Sequence, residues 1–212
     1  MYVTHVQRCE VTAPVSSKRL NPRRREILEA TLRVIGQSGV NGVTHRAVAL
    51  EAGVALASTT YYFDSKDALV VEALELMIAR SIECVRRYTA CPSQITQDEL
   101  VDRMVGFADE QINDPLAFVL AQYELMLEAG REEYLRPLAR RWTIAYMDGF
   151  SHLVESAGLP EPVETAEMIT NFVEWAVLNH VTPPSDDFLE DHFKPLLTTL
   201  VTALESGLPR ES

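Results

Sequence analysis

Cysteine is scarce. Cys9, Cys84 and Cys91 are too few and too irregularly spaced for a disulfide framework. No C-x-x-C occurs and no histidine pair stands at a ligating interval nearby, so three free thiols in a reducing cytosol are expected. Long apolar runs are missing as well: nothing reaches the roughly 18 residues needed to span a bilayer, and residues 1–20 lack the apolar run of about 7–15 residues that marks a signal peptide. A soluble, cytoplasmic chain without a membrane partner is expected. There is also no nucleophile–base pattern, no glycine-rich phosphate loop and no metal motif. The chain is therefore not read as an enzyme, and it calls for no cofactor. No segment alternates with period two for long enough to argue a strand.

Positive charge is the next shortage, with 19 Lys and Arg against 31 Asp and Glu, a net charge of -12. The deficit is uneven. Residues 1–66 carry +4 and residues 67–212 carry -16, which lets the N-terminal part approach a polyanion while the acidic body is repelled by it. At 212 residues the chain can form one large domain, or a small domain joined to a larger one, with apolar content enough for a sizeable core.

What is present is helix. Residues 1–20 show no periodicity and are expected as a flexible arm, with Lys18, Arg19, Arg23, Arg24 and Arg25 gathered where it meets the first helix. Pro22 suits a first helical turn, Ile27, Ala30, Leu32, Val34 and Ile35 form an apolar face, Gly36 weakens the last turns and Gly39 ends them. Thr44 is placed to cap a helix running to about Ala52, Ala52-Gly53-Val54 makes a tight turn, and a third helix runs from near Ala55 to Tyr62. Asp64-Ser65 opens a longer helix to about Tyr88. Beyond it, helical signals are punctuated at Cys91-Pro92-Ser93, Asn113-Asp114-Pro115, Gly130, Gly158-Leu159-Pro160 and Thr182-Pro183-Pro184-Ser185. The expected fold is all-α with about nine helices.

Two short helices joined by a glycine turn are a DNA-reading device, the second entering the major groove while the first crosses the backbone. The alternative is an ordinary helical hairpin whose glycine serves only packing. If Val48, Ala52, Val54 and Phe63 face inward, Leu56, Ala57, Ser58, Thr60, Tyr61 and Tyr62 are left outward, and Thr44 and Lys66 sit at helix N-termini that favour phosphate. Residues 39–69 resemble the DNA-binding domain of the tetracycline-repressor (TetR) family of bacterial transcription regulators. The resemblance rests on Thr44, Val48-Ala49, Ala52-Gly53-Val54, Phe63 and Ser65-Lys66-Asp67-Ala68-Leu69 at fixed spacing. It implies phosphate and base contacts at Thr44, His45 and Arg46, at Leu56, Ala57, Ser58, Thr60, Tyr61 and Tyr62, and at Lys66. The chain departs from the family in having Thr60 where a phosphate-contacting tyrosine is common and Thr59 where a buried leucine is usual. Thr60 reaches less far, so Tyr61 or Tyr62 is expected to take over the backbone contact. Thymine methyl groups would be the base partners of Leu56 and Ala57.

The resemblance implies an arm (1–20), a three-helix helix-turn-helix domain (21–66), and a larger C-terminal ligand-binding and dimerisation domain (67–212). Aromatic and polar residues of the middle helices supply pocket chemistry: Phe107, Phe118, Gln122, Tyr123, Met126, Trp142, Tyr146, Phe150, Asn171 and Trp175. For each one singly, plain core burial is the competing reading. The apolar stripes of 164–181 and 186–206 place Ile169, Phe172, Val173, Ala176, Phe193, Leu196, Leu197, Leu200, Val201 and Leu204 at an expected homodimer interface, with Met168, Trp175, Leu178 and Phe188 as apolar flanks. Simple core burial is again the alternative. His180, Asp186, Asp187, Asp191 and His192 lack a tight ligand spacing and are expected as a solvated helix start, and Arg131, Arg136, Arg140 and Arg141 as a solvated face of one long helix. The sum of these readings is a homodimeric repressor that binds a palindromic operator in double-stranded DNA and is released by a hydrophobic or aromatic small molecule, the helix from Ser65 carrying the change. An all-α enzyme and a ligand-independent DNA-binding protein are the rival readings.

Overall fold

The computed structural model describes residues 21–90, 93–181 and 187–206. The arm, Cys9, Cys91, the Pro183-Pro184 segment and Asp186 lie outside the described residues. Among those described there is no strand, and nine α-helices follow one another: α1 Pro22–Ser38, α2 His45–Ala52, α3 Leu56–Tyr62, α4 Lys66–Thr89, α5 Gln97–Asn113, α6 Leu116–Arg131, α7 Arg136–Ser156, α8 Pro162–Val181 and α9 Lys194–Glu205. A π-helical turn, Leu189–Phe193, runs directly into α9.

Local chemistry sets most of the boundaries. The Asn21 side chain accepts from the Arg23 amide with Pro22 in the first turn, and Gly39, at φ 68°, ends α1 by donating its N–H to the Ile35 carbonyl. A reciprocal capping box between Thr96 and Glu99 opens α5. Pro115 separates α5 from α6, and Gly158, at φ 73°, follows the end of α7. The break at 132–135 puts Arg131 at the end of α6 and the other three arginines on α7, so they do not share one helix. Arg131 pairs with Glu128, Arg136 with Glu133 and Arg141 with Glu75.

One apolar core runs without interruption from Ile27 on α1 to Leu204 on α9. It passes straight through position 66, where the sequence suggested a division. The join is close: α1 lies along α6, and a Cβ on Gly36 would stand 2.7 Å from both the Cα and the carbonyl oxygen of Ala117. Gly36 therefore acts as a contact point for another helix, rather than merely weakening its own. In the C-terminal part, Phe107 on α5 meets Tyr88, Tyr146 and Phe150 edge-on at centroid distances of 5.0–5.8 Å. Each such pair adds about 0.5–1.5 kcal/mol beyond the area it buries. α8 packs on α7 and α5, and α9 closes over α5.

Candidate nucleic-acid interface and effector region

The turn after α2 is built by backbone hydrogen bonds. Gly53 stands at φ 63°, ψ 36°; its N–H reaches the Leu50 carbonyl at 3.2 Å, and the next N–H, from Val54, reaches the Ala49 carbonyl at 2.9 Å. These two bonds make a Schellman motif, in which the left-handed residue folds the chain back over the helix end. Nothing lies within 4 Å of a Cβ placed on Gly53, so glycine is needed here for φ and not for space. Thr44 opens α2 by accepting from the Ala47 amide at 3.0 Å, and Ser65 opens α4 by accepting from Ala68 at 3.1 Å.

α3 is anchored by the residue that departs from the family pattern. Thr59 is fully buried, and its hydroxyl donates to the Leu56 carbonyl at 2.8 Å and, more weakly, to the His45 carbonyl at 3.5 Å. A buried hydroxyl needs such partners; the Leu56 bond stays within α3, and the longer one reaches the start of α2. Leu56, Ala57, Thr60 and Tyr61 are left exposed, Tyr61 at 80%, with Ser58 part-exposed beside them. Thr60 turns its hydroxyl back to the Ala57 carbonyl at 3.3 Å. The two tyrosines differ. Tyr61 projects freely, whereas Tyr62 is half-buried, packs edge-on against Tyr61 at 5.0 Å and accepts a hydrogen bond from Asn21 at 3.1 Å.

Thr44 and Arg46 are exposed, and His45 is half-buried with an unpartnered Nδ1. Lys66, in the first turn of α4, donates to the Asn41 carbonyl at 3.3 Å, which holds α4 against the loop before α2. Among the described residues, each arginine of the cluster at the start of α1 stands in an ion pair. Arg23 pairs with Glu26, Arg24 with Glu72, Arg25 with Glu29, and Arg33 with Glu51. Arg46 has no ion pair among the described residues. Three features of this face had no sequence signal: Asn21 bracing Tyr62, Asn41 bracing Lys66, and Leu50, which stands 84% exposed on α2.

The residues expected around an effector do not all converge. Phe107, Gln122, Trp142, Tyr146 and Phe150 are buried, and Phe118 and Tyr123 are partly so; Met126, Asn171 and Trp175 face outward. Their helices present other faces to the core: α6 turns Leu125 inward beside Met126, and α8 turns Val173 and Ala176 inward beside Trp175. Inside, polar groups are already matched. Trp142 donates to the Ser81 hydroxyl at 3.0 Å, Gln111 donates to the Tyr146 hydroxyl at 2.8 Å, Arg80 pairs with Asp114 while lying over the Phe118 ring, and Arg87 pairs with Glu110. The void among them, lined by residues that include Ser81, Gln111 and Gln122, is about 10 Å³. Burial pushes the Cys84 thiol beside it up to about 12, so that thiol stays protonated.

The apolar stripes of α8 and α9 divide between the chain's own core and its surface. Ile169, Val173, Ala176, Phe193, Leu197, Val201 and Leu204 are buried within the chain's own core, leaving only Leu196 exposed and Phe172 and Leu200 half-buried. The densest stripe of each helix faces the protein it belongs to. The free apolar surface is the flank, where Val163, Trp175, Leu178 and Leu196 are each 45–49% exposed. Asp187, Asp191 and His192 are exposed, and the His180 and His192 rings lie 5.8 and 6.4 Å from the Phe188 ring. Among the described residues no three His, Cys, Asp or Glu gather as for a metal, and no helix is long and apolar enough to cross a membrane.

Comparison with known proteins meets this geometry at both ends of the chain. Residues 27–73 match the family described as bacterial regulatory proteins, tetR family, and residues 96–204 match the tetracyclin repressor-like C-terminal domain. The HTH-type transcriptional regulator PksA of Bacillus subtilis is 42% identical over 55 residues, which cover 26% of this chain and 27% of PksA. The chain spans between about a quarter and a little over half the length of PksA and of the BetI regulators it also matches. Among solved structures, a TetR-family member from Streptomyces coelicolor is 30% identical with a TM-score of 0.64, covering 85% of this chain and 98% of that one. The multidrug binding protein EbrR, solved in complex with ethidium, is 29% identical with a TM-score of 0.60, covering 84% of this chain and 98% of that one. With its glycine-turned helix pair and its helical C-terminal body both matched, the chain belongs to the tetracycline-repressor family of bacterial transcription regulators.

Proposed function

We propose that the protein is a homodimeric, ligand-responsive repressor that reads a palindromic operator with α3 and leaves it when a largely apolar or aromatic small molecule binds the C-terminal body. The observation that carries this reading is the exposed α3 face of Leu56, Ala57, Thr60 and Tyr61, aimed by the Gly53 turn. Tyr61 takes the backbone or base contact, since the Tyr62 hydroxyl is engaged with Asn21 and Thr60 is turned back on its helix. Thr44, His45, Arg46 and Lys66 meet phosphates on either side of the groove. The three helices 21–66 serve as the DNA-reading unit and 67–206 as the responding body.

Two copies join through the outer flanks of α8 and α9, where Trp175, Leu178 and Leu196 present apolar surface that one chain leaves uncovered. The effector enters among α4 to α8, the region of Gln122, Tyr123, Trp142 and Tyr146. EbrR, complexed with ethidium and with proflavin, supports an aromatic effector. The void lined by Ser81, Gln111 and Gln122 is too small for such a molecule, so binding there displaces helices, and displacement of α6 is passed to α1 through the Gly36 contact as well as along α4. DNA affinity then falls by linkage.

Footprinting on DNA that includes the protein's own upstream region, at stated near-physiological salt, tests the reading, with selection from random DNA as the unbiased control. A protected palindrome that Tyr61→Ala abolishes supports it. Failure to select any sequence sinks it, and an operator complex unmoved by every compound the protein binds removes the ligand-responsive part.

A further inference from the structure

The start of α1 reaches the last turn of α3 through one side chain, that of Asn21. Its carboxamide oxygen accepts from the Arg23 amide at 2.9 Å, and because an N–H can meet only that end, the nitrogen is turned the other way. That nitrogen donates to the Tyr62 hydroxyl at 3.1 Å, so both ends of a short side chain are committed. Tyr62 in turn stands edge-on to Tyr61, with ring centroids 5.0 Å apart and planes at 85°. Tyr61, 80% exposed, has no hydrogen bond among the described residues, and the Tyr62 ring is the aromatic surface it leans on. A second tie lies beside the first: the Arg24 guanidinium sits 5.2 Å over the Phe63 ring while pairing with Glu72 of α4. It keeps the end of α3 on the domain whatever happens at Asn21.

An exposed side chain that must be fixed in order to read DNA loses rotamer freedom on binding, and a contact that fixes it beforehand removes part of that cost. Rings that meet edge to face constrain each other's planes, so a tyrosine whose hydroxyl is held passes its orientation to the ring against it. We infer that Asn21 is a positioning residue for operator recognition: through the Tyr62 hydroxyl and ring it holds Tyr61 in the pose with which α3 reads its site. The inference rests on the proposed reading of DNA by α3 and adds to it a residue outside that helix. Non-specific duplex, held through its phosphates, draws little on such a pose. The brace therefore bears on the ratio of operator to non-specific affinity, and little on affinity for DNA at large.

The full-length protein and its variants are titrated, at one stated salt, with the palindrome selected from random DNA and with an unrelated duplex of the same length. Asn21→Ser keeps an oxygen that caps α1 but is too short to reach Tyr62, and Tyr62→Phe keeps the ring but drops the hydroxyl. Each is expected to lower operator affinity about three- to tenfold, the range that ordering one such side chain spans, and to leave the unrelated duplex within twofold. The double variant is expected to lose no more than the larger single loss, because both changes cut one link. Unchanged operator affinity in Asn21→Ser overturns the inference, as do losses that add in the double variant. Equal losses on both duplexes overturn it too, by assigning the Tyr62 hydroxyl to phosphate or the brace to general stability. A wild-type protein that selects no sequence brings the inference down with the reading it rests on, whereas a selected palindrome with indifferent variants removes the inference alone.

Discussion

Gly53 carries its turn by conformation alone, since no atom crowds the position a Cβ would take. Gly53→Ala is expected to cost about 1–2 kcal/mol, the left-handed penalty of an L side chain, with no added clash. A urea midpoint shift of that size, together with weaker operator binding, checks it. Glu174, on α8, accepts from the Tyr123 hydroxyl at 3.3 Å, burial raises its carboxyl above the ordinary carboxylate value, and its expected signature is in pH. The unfolded carboxyl ionises near 4.5 and the folded one at higher pH, so between the two the native state keeps a proton that the unfolded chain has lost. Without ligand, stability therefore falls as pH rises through that window and levels off above it. Glu174→Gln should match the wild type at or below pH 4.5 and be the more stable protein at pH 8, as read from urea midpoints. Phe107→Ala, which removes a ring packed against Tyr88, Tyr146 and Phe150, should cost about 3–5 kcal/mol.

At the scale of elements, α1 and α6 are the pair to test. A methyl group on Gly36 would meet the Ala117 backbone at 2.7 Å, and a backbone cannot rotate away as a side chain can. Gly36→Ala should destabilise by about 1–3 kcal/mol through overpacking. It should also weaken the effector's influence on the operator, seen as a smaller fold-change in DNA affinity at saturating ligand. This contact shows where sequence reading stops. The helix ends were legible because each is decided within a few residues: Thr44, Gly53 and Ser65 act on their own turns. Gly36 was not, because its meaning depends on Ala117, some eighty positions away. The same holds for Met126, Asn171 and Trp175. Their chemistry suits a pocket, but one residue along a helix turns a side chain by about 100°, and only the packing of α6 and α8 decides which way it looks. The buried face of α8 and α9 shows a related limit: an apolar stripe names a hidden surface without naming what hides it.

Across the whole molecule, the uninterrupted core from Ile27 to Leu204 links DNA-reading helices and acidic body into one packed unit. A single calorimetric transition is expected, with van't Hoff and measured enthalpies in agreement at fixed protein concentration. The proposed dimer is tested at this scale by Trp175→Asp with Leu178→Asp, exposed positions that should leave the fold intact and convert a sedimenting dimer to a monomer. The arginines of α1 bear on the last property. Arg23, Arg24, Arg25 and Arg33 are held by the protein's own glutamates, which leaves Arg46, and Lys66 in part, to meet phosphate among the described residues. Few condensed ions are then expelled from the duplex by this part of each subunit, since every neutralised phosphate contributes a salt slope of roughly 0.9. On these residues alone the salt slope of operator binding should be shallow, which a plot of log affinity against log salt concentration checks.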